Sequence, residues 1–284
     1  MKKVHVIINP ASGGDEPVVN TLNRVFAAHD VAWDVSITHG PGDAERLARE
    51  AVAAGVDLVA GYGGDGTVME IANGLVDSHV PLGVLPGGTG NSVAKELNMP
   101  LDLARAAELL CQTDDVRHID LGRVGDRYFV LHLYAGLQPS QRADRDLKDS
   151  MGVLAYLVSA LRVLRDPQVT GYMLSVDGEQ IEQEGVVCLV FNTLNVGVEL
   201  PFTKTIRPDD GLLDLVLVKK ASLGVLPSLL ERERADDFLQ HWRGREISVR
   251  AESVQEVCID WEEGGKTPFT AVAVPRALRV VTPQ

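Results

Sequence analysis

The chain has 284 residues, of which 45% are hydrophobic, and its 27 Lys and Arg residues against 40 Asp and Glu residues give a formal net charge of −13. This composition is typical of a globular protein and excludes a disordered or fibrous chain. Nucleic-acid binding depends on Lys and Arg at the phosphates, so the acidic excess argues against a nucleic-acid partner. The same excess weakens adhesion to anionic membranes.

Cysteine spacing and hydropathy predict a cytoplasmic location. Cys111, Cys188 and Cys258 lie far apart, with no C-x-x-C pair, so neither a disulfide framework nor a zinc site is predicted. The longest apolar run, residues 151–164, is 14 residues long and contains Arg162. A membrane-spanning helix needs about 20 residues. The N-terminus is typical of a first strand and not of a signal peptide.

Strand-like and helix-like runs alternate through the first half of the chain. Strands are predicted at residues 3–9, 33–38, 56–60 and 82–85, and helices at residues 17–29, 43–54, 67–76 and 92–97. Gly55 is placed to follow the second helix as its C′ residue. This alternation predicts parallel strands with right-handed crossovers, so ligand sites are expected beyond the carboxyl ends of the strands.

From about residue 120 the pattern changes to short β-rich runs. They are residues 121–124, 128–133, 170–176, 185–191, 212–218, 246–251, 256–260 and 278–282, separated by turns at 125–126, 177–178 and 264–265. Two helices are predicted among them, at 151–164 and about 222–242. We therefore predict an α/β domain with a parallel sheet at residues 1–120 and a mainly antiparallel, β-rich domain at residues 121–284. Packing of the last strand against the first domain remains an open alternative in this assignment.

Three glycine-rich turns follow predicted strands and open helices: residues 9–14 (NPASGG), 63–67 (GGDGT) and 86–91 (PGGTGN). Glycine lets backbone N–H groups approach a phosphate, and the helix that follows offers its positive end. Together the turns predict a phosphate-binding site, although none has the Walker A or dinucleotide spacing. Asp65 in the second turn suits a Mg²⁺ ligand or a group that orients a hydroxyl. The structural alternatives are that Asp65 caps the helix and that Thr67 forms a capping box with Glu70, three residues later.

This set of turns, in this order and spacing, resembles the diacylglycerol kinase and sphingosine kinase superfamily of lipid kinases. The GGDGT turn alone is shared with NAD kinases and, loosely, with phosphofructokinases. The resemblance extends into the second half of the chain. Residues 152–164 are similar to the family's Gly-x-x-x-Tyr helix, and residues 210–214 (DGLLD) to its Asp-Gly-x-Leu-Asp motif.

The resemblance implies an NAD kinase- or phosphofructokinase-like first domain and ATP-dependent, Mg²⁺-assisted transfer of the γ-phosphoryl group to a lipid hydroxyl. The acceptor would be a diacylglycerol- or sphingosine-type lipid, and the pathway phospholipid biosynthesis. Peripheral membrane contact and a homodimer are left open. The matching ATP-binding positions are Asn9, Pro10, Ala11, Ser12, Gly13, Thr38, Gly63, Gly64, Asp65, Gly66, Thr67, Val68, Met69 and Thr89.

Two carboxylates and one metal site follow from the same resemblance. Asp65 would hold the nucleotide's Mg²⁺ or assist the base. Glu262 matches the proton acceptor of the family's Asp-Gly-Glu motif, although Trp261 stands where the family has Gly. A separate Mg²⁺ site carries over to the Asp210 carboxylate with the main-chain carbonyls of Arg207 and Leu212. Residues 209–211 are equally a good turn sequence.

The departures from the family leave alternatives open. Ser92 stands where the family often has Asp, and it is expected to cap its helix through its hydroxyl. The glycine cluster that many family members have at the positions of residues 192–207 is absent here. The resemblance therefore predicts the type of reaction more firmly than the identity of the acceptor. The helix at 151–164 suits the buried core better than a membrane interface. The alternatives are an NAD-kinase-like kinase of a soluble alcohol and a non-catalytic protein that binds nucleotide or lipid.

Overall fold

A computed structural model describes residues 2–112, 115–136, 169–194, 206–219 and 239–283. The chain divides into two compact units, Met1–Ile119 with Arg276–Gln284, and Asp120–Pro275. The predicted helix at residues 151–164 and most of the predicted loop at residues 192–207 lie outside the described residues.

The first unit contains a parallel sheet with helices packed on it. Its strands are β1 (Lys3–Ile8), β2 (Ala32–Ile37), β3 (Leu58–Gly63) and β4 (Leu82–Pro86), in the order β2–β1–β3–β4. Its helices are α1 (Val18–Ala28), α2 (Asp43–Ala53), α3 (Asp65–Leu75), α4 (Ser92–Glu96) and α5 (Leu103–Gln112). Helix α1 packs against α5, and α2 packs against α3. The predicted C′ glycine, Gly55, has a φ of +74° just after α2, as that position favours.

The strand order reverses between β1 and β3. The chain leaves β1 for β2 on one side, and it leaves β3 for β4 on the other. In parallel α/β sheets such a reversal opens a crevice at the carboxyl ends of the two strands, and ligands bind there. The loops after β1 and β3 therefore lie where this architecture places a site.

The second unit is built from antiparallel strands. These are β6 (Arg127–Phe129), β7 (His132–Ala135), β8 (Thr170–Val176), β9 (Glu179–Gly185), β10 (Val187–Phe191), β11 (Leu213–Val218), β12 (Leu239–Gly244), β13 (Glu246–Ala251), β14 (Glu256–Ile259) and β15 (Glu262–Lys266), with most of β5 (Val116–Val124) and the first half of β16 (Phe269–Val281). One sheet has the order β12–β11–β10–β7–β14–β15, and the other includes β16, β13, β8 and β9 in that order. Buried side chains of both sheets, among them Leu133, Leu215 and Ile247, form one hydrophobic cluster.

The predicted fold class is confirmed, a parallel α/β region followed by a mainly antiparallel β region. Two local predictions are wrong. The second predicted helix, at about residues 222–242, lies outside the described residues up to residue 238, and its predicted end is wrong because Leu239–Gly244 is strand β12. Gly264 and Gly265 do not form the predicted turn between strands, because they lie inside β15, which shifts register against β14. Helix α5 and strand β9 were not predicted; β9 (EQIEQEG) is rich in Glu and Gln and mostly exposed, unlike a typical strand.

Within the described residues, none of the helices combines the length and the apolar character that crossing a bilayer requires.

Candidate functional site

The loop after β1 is tied to the start of α3 by Asn9. The side-chain Nδ2 of Asn9 donates to Thr67 Oγ1 at 3.0 Å, and its Oδ1 accepts the backbone N–H of Ala11 at 3.0 Å. One amide therefore shapes its own loop and links it across the point where the strand order reverses. The structure thus brings together two of the predicted nucleotide-binding segments, residues 9–13 and 63–69.

The loops after β3 and β4 touch backbone to backbone. The N–H of Gly87 donates to the carbonyl of Gly63 at 3.0 Å. A Cβ placed on Gly88 would lie 2.5 Å from the Cα of Gly64, closer than atoms approach in folded proteins. Glycine at position 88 is therefore required for the two loops to lie this close.

Tyr62 lies beneath these loops, and sequence reasoning missed it. The side chain is fully buried, and a Cβ on Gly87 would lie 2.6 Å from its ring, while one on Gly13 would clash with its hydroxyl. The hydroxyl donates to Glu16 Oε2 at 2.8 Å. Burial, followed by the bond to Glu16, raises the pKa of Tyr62 far above its ordinary value, so the phenol stays protonated. A single aromatic residue among small ones in β3 (LVAGYG) was the available signal.

Asp65 is the first residue of α3 and contacts the start of α4. Its Oδ1 accepts the N–H of Val93, the second residue of α4, at 2.9 Å. Among the described residues, none donates a hydrogen bond to the second carboxylate oxygen, Oδ2. One carboxylate oxygen thus caps a helix, and the other remains for a cation or a water molecule.

Helix α3 begins at the site without a side-chain cap. Its N-cap residue is Gly64, in an extended conformation, which has no side chain to cap the first backbone N–H groups of the helix. The N-terminus of such a helix offers N–H groups and positive potential to an anion. This geometry is what a phosphate group requires at the end of β3.

Two predicted caps are wrong. Thr67 and Glu70 form no capping box, because Glu70 instead accepts the N–H groups of Gly42 at 2.8 Å and Ala44 at 3.0 Å and so caps α2. Ser92 does not cap α4, since Asn91 holds the N-cap position with a φ of +48° and Asp65 supplies the acceptor. Sequence proximity suggested local caps, whereas the acceptors come from neighbouring helices.

The remaining predicted nucleotide-binding residues vary in burial. Thr38 follows β2, and its N–H donates to Ile8 O at 3.0 Å, which keeps it beside the end of β1. Val68 and Met69 are buried within α3, whereas Pro10 and Thr89 are exposed.

Glu262 lies in the second unit, after a two-residue turn that joins β14 to β15. The turn residues Asp260 and Trp261 have φ values of +43° and +75°, and Ile259 pairs with Glu262, as in a type I′ hairpin. Trp261 thus occupies a conformation that favours glycine, and its ring contacts that of His132 with centroids 4.7 Å apart.

The carboxylate of Asp260 fixes this turn. It accepts N–H groups from Val130 at 2.8 Å, Leu131 at 3.1 Å and His132 at 2.8 Å, and the residue is only 3% exposed. Glu262 is exposed and forms an ion pair of 2.5 Å with Arg127, which also donates to the carbonyl of Glu263 at 2.7 Å. The predicted base is therefore held in place by a cation that sequence reasoning missed.

At the predicted metal position, both carboxylate oxygens of Asp210 have partners within the protein. Asp210 Oδ1 accepts the N–H of Leu212 at 3.0 Å, and Oδ2 pairs with the guanidinium of Arg243. Burial raises the pKa of the Asp210 carboxyl above its ordinary value, against the opposing effects of Leu212 and Arg243. The described residues contain no group of three or more His, Cys, Asp or Glu side chains that could hold a metal ion. This donor set does not fit a separate divalent cation.

Comparison with known families assigns both halves of the chain. The diacylglycerol kinase catalytic domain matches residues 3–124, and the YegS C-terminal NAD kinase beta sandwich-like domain matches residues 133–282. A diacylglycerol kinase of Bacillus subtilis is 31% identical over 297 aligned residues, covering 100% of this chain and 97% of that protein. The chain belongs to the diacylglycerol kinase family.

Further similarities agree with this membership. A candidate lipid kinase of Staphylococcus haemolyticus is 29% identical over 262 residues, covering 87% of this chain and 85% of that one. The crystal structure of a candidate diacylglycerol kinase from Bacillus anthracis str. Sterne has a TM-score of 0.84 and 25% sequence identity, covering 99% of this chain and 97% of that one. The resemblance inferred from the glycine-rich turns is confirmed, and the chain is a kinase by family.

Proposed function

We propose that this kinase transfers the γ-phosphoryl group of ATP to the hydroxyl of a diacylglycerol- or sphingosine-type lipid. The observation that carries the proposal is the convergence of the loops after β1, β3 and β4, joined by the Asn9–Thr67 bond and the Gly64–Gly88 contact. They surround the N-terminus of α3, whose cap is a glycine. Dense glycines, a helix N-terminus and one acidic side chain suit a polyphosphate and its cation.

The first unit would bind and orient the nucleotide. Backbone N–H groups of residues 63–67 would contact the phosphates, since no Cβ at 63, 64 or 66 blocks their approach. Asp65 Oδ2 and neighbouring hydroxyls are oxygen donors that suit Mg²⁺, which when bound neutralises charge on the phosphates. Phosphoryl transfer depends mainly on such positioning and charge neutralisation.

Glu262 would accept the proton of the lipid hydroxyl. Its carboxylate follows a turn that Asp260 fixes, and Arg127 restrains its orientation. An exposed carboxylate of this kind can take a proton from a hydroxyl within hydrogen-bonding reach. A lipid acceptor is supported by the names of the relatives, a diacylglycerol kinase and a candidate lipid kinase.

A transfer assay tests the proposal. Purified protein is given γ-labelled ATP, Mg²⁺ and either a total lipid extract or NAD, and the labelled product is identified by mass spectrometry. We expect a phosphorylated lipid. Asp65→Asn should lower its formation about 10²-fold, because the amide keeps the oxygen that caps α4 but loses the charge.

Asp77→Asn is the matched control, since it replaces the same carboxylate by the same amide at an exposed position just after α3. It should leave the rate unchanged. The absence of labelled lipid, or full activity of Asp65→Asn, contradicts the proposal. More efficient transfer to NAD than to any lipid would show that the acceptor is a soluble alcohol. Tight ATP binding without turnover would indicate a non-catalytic protein.

A further inference from the structure

A cluster of buried charges lies in the second unit, around the DGLLD segment, and the phosphoryl-transfer chemistry does not use it. Asp214 on β11 is fully buried, and its Oδ1 lies 2.6 Å from His241 Nε2 and 3.0 Å from Arg243 Nε. Arg243 is directly opposite Asp214 in the β11–β12 register, so the pair is set by strand pairing. A carboxylate with no exposed surface requires such partners, because an unpaired buried charge is costly.

The same guanidinium reaches the loop that precedes β11. Arg243 Nη2 pairs with Asp210 Oδ2 while Arg243 Nε faces Asp214. The two carboxylates are therefore bridged by one planar cation, which ties the loop at residues 209–212 to the strand that follows it. Arg presents several donors in a fixed plane, which suits it to bridge two carboxylates.

Other hydrogen bonds hold the loop in the position that this bridge needs. The N–H of Gly211 donates to Asp120 Oδ2 at 2.6 Å, and the N–H of Asp120 donates to Pro208 O at 2.6 Å. The side-chain Nδ2 of Asn192 donates to Asp120 O at 2.9 Å. Asp120 thus holds the loop at two points, donating to Pro208 and accepting from Gly211, and Asn192 in turn holds Asp120.

We propose that Arg243 is the cation of this loop, in the place where the family resemblance predicts a separate Mg²⁺. Mg²⁺ requires carboxylate and carbonyl oxygens at about 2.1 Å in octahedral geometry. Asp210 Oδ1 accepts the N–H of Leu212 and Oδ2 pairs with Arg243, so a metal ion bound through Oδ2 would compete with the guanidinium. The second unit therefore folds without a divalent cation at Asp210, and nucleotide binding plays no part in this inference.

Thermal unfolding of the full chain without nucleotide tests the proposal, in millimolar Mg²⁺ and in EDTA. The unaltered chain should unfold at the same temperature in both. Arg243→Met should lower the midpoint by about 5 °C or more, because it leaves the buried Asp214 short of a cation. Millimolar Mg²⁺ should restore a large part of this loss, since Asp210 and Asp214 are then available to a metal.

Arg245→Met makes the same charge change in an exposed position two residues along the chain and should have neither effect. A Mg²⁺ response of the unaltered chain that Asp210→Asn abolishes would overturn the proposal, and so would an Arg243→Met variant with an unchanged midpoint or no response to Mg²⁺. If Arg243→Met fails to fold, the comparison of the unaltered chain with Asp210→Asn decides alone. A midpoint indifferent to EDTA, or a response that persists in Asp210→Asn, supports the proposal.

Discussion

Individual glycines set the shape of the phosphate-binding loops through what they allow to come close. Gly88 lets its loop lie on Gly64, and Gly87 lies directly over the ring of Tyr62. By contrast, Gly40 has open space around it. Glycines that follow the strands of this unit are therefore not equivalent, and substituting them should distinguish the effect of a close contact from that of backbone flexibility.

Gly88→Ala should weaken ATP binding about tenfold or more, because its Cβ would meet the backbone of Gly64 and push the two loops apart. Isothermal titration calorimetry with ATP and Mg²⁺ measures the change. Gly40→Ala is the control, since it adds the same methyl group where no atom lies within 4 Å. Equal affinities of Gly88→Ala and the unaltered chain would show that this contact does not position the nucleotide.

At the scale of elements, helices are capped by side chains from other elements. Glu70 on α3 caps α2, and Asp65, also on α3, caps α4. The N-terminal half of α3 therefore organises two neighbouring helices as well as the site. A substitution in α3 should therefore affect both helix packing and ligand binding.

Glu70→Ala should lower the free energy of unfolding by about 1–2 kcal/mol, because two N–H groups at the start of α2 lose their acceptor. Urea denaturation followed by circular dichroism measures this loss. Glu50→Ala removes an exposed ion pair with Arg46 and should cost about 0.5 kcal/mol or less. A Glu70→Ala loss no larger than that of Glu50→Ala would contradict the capping role.

In the second unit, the carboxylate of Asp260 likewise accepts backbone N–H groups from another element. Asp260→Asn should destabilise the chain by about 2 kcal/mol, because an amide offers one uncharged acceptor to three backbone N–H groups. Thermal denaturation should show the loss, with the exposed turn residue Asp126 changed to Asn as control. An unaltered midpoint for Asp260→Asn would rule out this role of the carboxylate.

Most elements of the first unit could be predicted from the sequence because strands such as β1 are short apolar runs and helices such as α2 bury one face. Strand β12 could not, since LQHWRG carries His241 and Arg243, whose place is decided by Asp214 on the neighbouring strand. The glycine-rich loops were visible as a pattern. Tyr62, Arg127 and the true partner of Glu70 were not, because their roles depend on contacts between residues distant in sequence.

At the scale of the whole molecule, the net charge of −13 opposes electrostatic attraction to anionic lipid. Any membrane contact that a lipid acceptor requires would then rest on other interactions. This makes the salt dependence of vesicle binding informative.

We predict that at low ionic strength the fraction bound to anionic vesicles does not exceed the fraction bound to zwitterionic ones, because the acidic chain is repelled. Co-sedimentation with the two vesicle types, repeated with added salt, measures this, and the zwitterionic vesicles serve as the control. Stronger binding to anionic vesicles that declines as salt is added would point instead to a basic docking surface.

The most direct test of the account is a crystal structure of the chain with ADP and Mg²⁺. We predict that the β-phosphate lies within about 3 Å of backbone N–H groups of residues 63–67, beside Asn9, with Asp65 facing the metal ion. A nucleotide bound away from the ends of β1, β3 and β4, or the same loops without contact to its phosphates, would contradict the account.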